Sequence, residues 1–458
     1  MPATLLKMMA AVLVAGLLAL NTAPAWSGET ATPDDTARFL AGLPPAPDSP
    51  LVALTKGPLW QQHARYFDAI FGREDNATLS KIRAFSRERL TDKHETMLYM
   101  FSGPDFLYAT SFFPNASTYV LSGLEPVGDI PQLTALTRSS IEWTLRNLES
   151  SLGSLLSFSF FITKNMKTQL HAGPVYGTLP ILYVFLARTG KTIHDVSFVS
   201  LDEEGNSQTT TEAAAQDAAT NSPKGATVKA AQRAARSAVK GVKIVFSQGA
   251  GPSQTLYYFS TNLADDGVRR SGFLAFCDKL GAADSFIKSA SYLLHGGGFS
   301  KVRDFLLDHS ATILQDDSGI PLAYFDPKKW RLQPFGRYAG PISIFGRAYQ
   351  SRLGELFRKG NAIPIDFGVG YRWRKNESNL LLARRTAAET SETELAPPLP
   401  TDRYLRGTDT QSPNRMRPAA GPRKSHRKRV QSETTGSLGC RIAGIFPFCS
   451  TPRSGSSR

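Results

Sequence analysis

Five residues with side chains able to move protons or hold a polar ligand lie just beyond apolar segments: Asp105, Glu125, Lys164, Asn165 and His171. Asp105 closes the phrase Ser102-Gly-Pro-Asp after an aromatic run, and Glu125 follows Tyr119–Leu121. Loops past strand ends are where open sheets bind ligands. A carboxylate pair beside a lysine or histidine performs acid–base chemistry when burial tunes the groups. The competing reading is architectural: Asp105 completes a turn and Glu125-Pro126 opens a loop.

A second constellation is His295, Asp304, Asp308, His309, Asp316 and Asp317. Asp304 and Asp308, four apart, share a helix face and could flank a cation. Asp316-Asp-Ser-Gly is equally a good hairpin turn, and the histidines match no known ligand spacing, so no metal site is assigned. Common catalytic patterns are missing. There is no G-x-S-x-G elbow and no H-E-x-x-H, and Gly190-Lys-Thr lacks the first glycine of a phosphate-binding loop. Ser285-Phe-Ile-Lys288 and Ser237-Ala-Val-Lys240 match S-x-x-K, but without S-D-N or K-T-G both are read as coincidences. No cofactor is implied.

The elements that would position these groups centre on Thr96–Gly128. Three apolar runs (Met97–Phe101, Phe106–Phe113, Tyr119–Leu121) separated by turn formers predict a β-meander, and their near-continuous apolarity predicts cover on both faces. Helices are expected over Leu59–Ile70, over 77–85 with Asn76 as N-cap, over Pro131–Leu148 and over Leu179–Leu186. Strands are expected at Asp195–Leu201, Val242–Ser247, Thr255–Ser260 and 311–325, with a closing hairpin at Ile363–Trp373 and Asn379–Arg385. Further helices are expected over Ser271–Leu280, after Asp284, at 301–309 and over Pro341–Arg358. His63, on an apolar helix stripe, reads as a packed core residue. The fold class is mixed α/β or α+β: one domain over 51–386 with a central, mainly antiparallel sheet covered by helices.

Outside that domain, Lys7, the apolar Met8–Leu20 and Ala23-Pro24-Ala25 form a signal peptide cleaved near Ala25. No later stretch reaches the ~18 apolar residues of a membrane span, so the mature chain is expected in the periplasm or outside the cell. Residues 26–50 read as a flexible lead-in. Residues 203–240, which contain no aromatic residue, read as a disordered insertion within a hairpin loop. From 387 a basic, Pro/Ser/Thr-rich disordered tail follows. It contains a run of Arg and Lys at 423–429 and carries much of the net charge of +14. Cys440 and Cys449 flank a short loop and can pair in an oxidising compartment, whereas Cys277 lies in an apolar phrase and reads as core. The Lys and Arg of the folded part are dispersed among acids, which gives no nucleic-acid reader.

Two functional readings follow. One is an exported binding or scaffolding protein whose basic tail contacts anionic envelope polymer. The other is a hydrolase-type enzyme that uses the carboxylates beyond the strands.

Overall fold

Order begins earlier than the sequence predicts, inside the stretch expected to be a flexible lead-in. The computed structural model describes residues 30–92, 94–158, 175–210, 239–374 and 376–386, all of one unit ending at Thr386. The expected signal peptide, residues 211–238 of the insertion, and the tail with Cys440 and Cys449 lie outside the described residues. Helix α1 (Pro33–Leu40) starts on the cap Thr32, whose hydroxyl accepts from the Asp35 amide at 3.0 Å. Pro33 at its first position and Asp34 and Asp35 in the first turn favour the same start. It buries Phe39 and Leu40 completely, worth about 1.5–3 kcal/mol each. That burial is why this Pro/Asp-rich segment is held.

Helix α2 (Pro58–Glu74) runs through a π-turn at Asp75–Leu79 into α3 (Ser80–Arg89), so Asn76 lies inside a continuous helix and caps nothing. His63 is buried as expected, with Nε2 2.9 Å from the Leu40 carbonyl and Nδ1 2.8 Å from Glu149.

The expected meander is instead strand–helix–strand. β1 (Thr96–Tyr99) and β2 (Thr118–Gly123) are parallel neighbours, and the run between them is α4 (Phe106–Phe112). Parallel strands cannot be joined by tight turns, so the crossover must be long enough for a helix. Every residue of α4 is buried, which removes the polar face that would have marked it as helical.

The chain continues through α5 (Arg138–Phe158) and α6 (Leu179–Arg188) into β3 (Lys191–Leu201). Within the expected insertion, Ser207–Thr210 forms the short strand β4. β5 (Val239–Gln248), β6 (Gln254–Ser260), α7 (Phe273–Lys279), β7 (Ala283–Ile287), α8 (Ser300–His309) and β8 (Ser310–Gln315) follow. β9 (Trp330–Gly336), α9 (Ser351–Lys359) and β10 (Asn379–Arg385) complete the fold. The helix predicted after Asp284 is therefore strand β7, and residues 363–373 form only isolated bridges rather than a strand.

The ten strands form one mixed sheet, ordered β4-β3-β5-β6-β2-β1-β7-β8-β10-β9, in an α+β architecture. Antiparallel pairings make up both flanks, and the five central strands, β6 to β8, run parallel. Alternate residues of the central strands enter opposite cores. Met97, Tyr99, Tyr119 and Leu121 face α1–α6, whereas Leu98, Met100 and Val120 face α7 and α8. Cover on both faces explains the continuous apolar runs.

Candidate functional site

From β1 the chain steps sideways to β2 and later to β6. It then crosses β1 to place β7 and β8 on the other side. The loops leaving β1 and β7 consequently diverge, and a crevice at such a switch of direction, outside the carboxyl ends of parallel strands, is where open sheets hold ligands. A cleft of about 190 Å³ opens there. Asp105 lines it from β1, Glu125 from β2, Asn262 from β6, and Lys288 and Ser289 from β7.

Its floor is an ion pair. Lys288 Nζ lies 2.6 Å from Asp105 Oδ2, with both side chains 2% exposed. Asp105 is held by two more hydrogen bonds. Its Oδ2 accepts the Tyr99 hydroxyl at 2.9 Å, and its Oδ1 caps α4 by accepting the Tyr108 amide at 3.3 Å. The lysine nitrogen also sits 3.7 Å from the centre of the Tyr108 ring, whose hydroxyl donates to Glu74 at 3.0 Å. Burial pulls the Lys288 ammonium below the usual lysine range, while Asp105, Asp316 and Glu74 pull it back. Glu74 is raised by burial. It enters the site from the residue just before the π-turn, a helix irregularity common at functional positions.

The backbone around this pair is strained. Among the described residues, five other than glycine have φ between +51° and +65°. Phe101, Ser289, Ser291 and Tyr292 are four of them, at the ends of β1 and β7. Left-handed conformations of such residues cost about 1–3 kcal/mol each and persist where surrounding structure enforces them. Asp316 and Ser318 supply that enforcement at the end of β8. Asp316 Oδ2 accepts from the Ser289 amide at 2.9 Å, and Ser318 Oγ accepts from the Ala290 amide at 2.8 Å. Gly370 passes so close that a Cβ there would lie 2.0 Å from Asp316 Oδ2. Asp317 accepts the Tyr292 hydroxyl at 2.7 Å and Asn379 Nδ2 at 3.3 Å. Burial and the neighbouring Asp317 raise the Asp316 carboxyl, and burial raises Asp317. The Ser289 hydroxyl is buried with no hydrogen-bond partner among the described residues.

Glu125 forms the wall opposite. The Tyr258 hydroxyl donates to its carbonyl at 2.9 Å. Gly123 is required beneath it, since a Cβ there would lie 2.4 Å from Glu125 Oε2 and 2.9 Å from the Gly103 Cα.

Of the five residues singled out from sequence, Asp105 and Glu125 are brought into one cleft. Lys164, Asn165 and His171 lie outside the described residues. The second constellation does not assemble. Asp304 pairs with Arg303 at 3.4 Å and His309 with Asp278 at 2.7 Å, while Asp316 and Asp317 support the cleft. His295 Nε2 is buried without a partner among the described residues, and burial lowers the ring to about 4. No group of three His, Cys, Asp or Glu among the described residues is arranged to hold a metal ion. Lys288, read from sequence only as part of a coincidental S-x-x-K match on an expected helix, directly follows strand β7 and lines the cleft. As an S-x-x-K pair, Ser285 and Lys288 do not meet: Ser285 lies inside β7 and contacts Ser310 Oγ at 2.7 Å. Cys277 is buried core, its thiol pushed up by burial. No helix among the described residues is long and apolar enough to cross a membrane.

Comparison with protein-family models, with curated proteins and with solved structures yields no match.

Proposed function

We propose that this cleft is the active site of a hydrolase-type acid–base enzyme acting on a small polar group. The observation that carries the reading is the Lys288–Asp105 pair at 2.6 Å, buried at the floor of a cleft that Glu125 also lines. A buried pair alone is weak evidence of anything, because desolvation offsets its attraction. Here it coincides with the switch point, with strained backbone and with a second carboxylate. Acid–base catalysis needs two groups in different environments on one reacting bond.

Lys288 is assigned as the proton donor to the departing group, with its ammonium lowered by burial. Asp105, already accepting Tyr99, Tyr108 and Lys288, is its positioning residue. Glu125 takes the proton of the attacking water, and solvent returns it to Lys288 after the product leaves. Asn262 and the Ser289 hydroxyl, which has no hydrogen-bond partner among the described residues, are assigned to holding the substrate. Export, and contact of the basic tail with anionic envelope polymer, stay part of this proposal. In this reading the tail sets where the enzyme works rather than what it does.

Glu125→Gln in the full chain tests the assignment against chromogenic esters, glycosides, amides and phosphate esters. Turnover is expected to fall about 10²–10⁴-fold, with a melting temperature close to wild type. Full turnover in that variant, or a wild type inactive on every substrate class, would overturn it.

A further inference from the structure

The wall of the cleft continues outward into a lip made of residues 337–352 and 371–374. Tyr371 joins the two. It lines the cleft and donates its hydroxyl to the Ser289 carbonyl at 3.1 Å, while Phe345 packs on its ring at 5.5 Å. The neighbouring Arg372 ties the segments together through Nη2, donating to the Gly340 carbonyl at 2.6 Å and the Pro341 carbonyl at 2.9 Å.

We infer that this lip is a binding surface for an acidic polysaccharide, one unit of which enters the cleft. Between residues 337 and 374 the chain carries seven Arg or Lys and two acids. Both acids are engaged, Glu355 with Lys359 at 2.7 Å and Asp366 with Lys81 at 2.9 Å. Arg337, Arg347, Arg352 and Arg374 are exposed and make no ion pair among the described residues. Interleaved with them are Tyr349, 58% exposed, Trp373, 41% exposed, and Ile344. Tyr349 is stacked at 5.6 Å on Tyr338, whose hydroxyl accepts from the Gln350 amide at 3.0 Å, so its ring is presented rather than loose.

Guanidinium forks match carboxylates in two-point geometry, and flat rings with polar edges cover the faces of sugars. A bilayer surface would call for several aliphatic anchors, and Ile344 is the only large aliphatic exposed in this lip. The cleft, at about 190 Å³, is smaller than the ~300–1,000 Å³ of sites for drug-sized ligands. It admits one small unit and leaves the rest of a chain over the lip. Lys288, the one cation lining the cleft among the described residues, meets the unit that enters.

The inference rests on the proposed active site only for where the chain leads. Lip binding is therefore measured apart from turnover, by calorimetric titration of the full chain with short oligogalacturonates at physiological salt. Neutral cello-oligosaccharides and phosphatidylglycerol vesicles serve as the other probes. The charges of the tail are common to all variants, so differences between variants read the lip. Arg347→Glu/Arg352→Glu/Arg374→Glu is expected to weaken oligogalacturonate binding roughly 10- to 100-fold with an unchanged melting temperature. Turnover lost in Glu125→Gln while binding persists supports both proposals. Binding lost in the lip variant while Glu125→Gln keeps its turnover leaves the lip standing and the active-site assignment overturned. Unchanged oligogalacturonate affinity in the lip variant, equal affinity for the neutral oligomers, or binding confined to the vesicles would overturn the lip.

Discussion

The two ends of the parallel strands each hold a buried carboxylate beside a basic side chain, and they are built differently. At the carboxyl end Lys288 and Asp105 are both 2% exposed, the flanking backbone is left-handed at four residues, and a cleft of about 190 Å³ opens above them. At the amino end His94 Nδ1 lies 2.9 Å from Asp284, the imidazole is 31% exposed, and the adjoining hollow is about 20 Å³. There the Asp284 carboxylate also accepts the His94 amide at 3.2 Å, fastening the entry to β1 against β7. The amino-end pair is a fastening with no left-handed residue other than glycine beside it among the described residues. The carboxyl-end pair is buried more deeply, surrounded by strain and left facing space. An arrangement that costs stability and faces a cavity is better explained by chemistry than by folding.

Breaking one partner of each pair separates them most widely. Lys288→Met is expected to cost about 3–5 kcal/mol, because Asp105 is left charged and buried. His94→Asn is expected to cost about 0.5–1.5 kcal/mol, the net worth of a hydrogen bond near solvent, and to leave turnover intact. Denaturant unfolding measures both, and equal losses would erase the distinction.

A smaller effect sharpens it through pH. Asp316 has its carboxyl raised in the folded state by burial and by Asp317, so the folded chain binds its proton more tightly than the unfolded chain does. Stability from this group is full below the unfolded value near 4 and is lost as pH rises toward the folded value. Melting temperature is expected to fall across that window in the wild type and to fall less in Asp316→Asn. Parallel profiles would show that Asp316 does not titrate there.

Some of this was readable in the residues and some was not. Asp105 and Glu125 stood out because apolar runs end just before them, and that rule holds whether the runs are joined by turns or by a helix. The helix itself was hidden. Phe106–Phe112 is buried all round, so neither a period of two nor one of 3.6 marks it. Lys288 was hidden for a related reason: Ala283–Ile287 is buried on both faces, and Ser285 and Lys288, three apart, pass for one side of a helix. Asp316 and Asp317 looked like a hairpin turn, yet the chain leaves β8 through Leu322–Tyr324 and reaches β9 only at Trp330. Thr32-Pro-Asp-Asp is a legible helix start, overlooked inside a Pro-rich segment. Chain order also cannot show that β7 lies beside β1, which is the pairing that brings Lys288 to Asp105.

The most direct measurement is turnover and unfolding, side by side, of the double variant Asp105→Asn/Lys288→Met. Removing both charges leaves no uncompensated ion, so the stability lost in Lys288→Met alone is expected to be largely recovered. Turnover is expected to remain abolished. A double variant that folds and still turns over substrate would show that the buried pair serves the fold and not the chemistry.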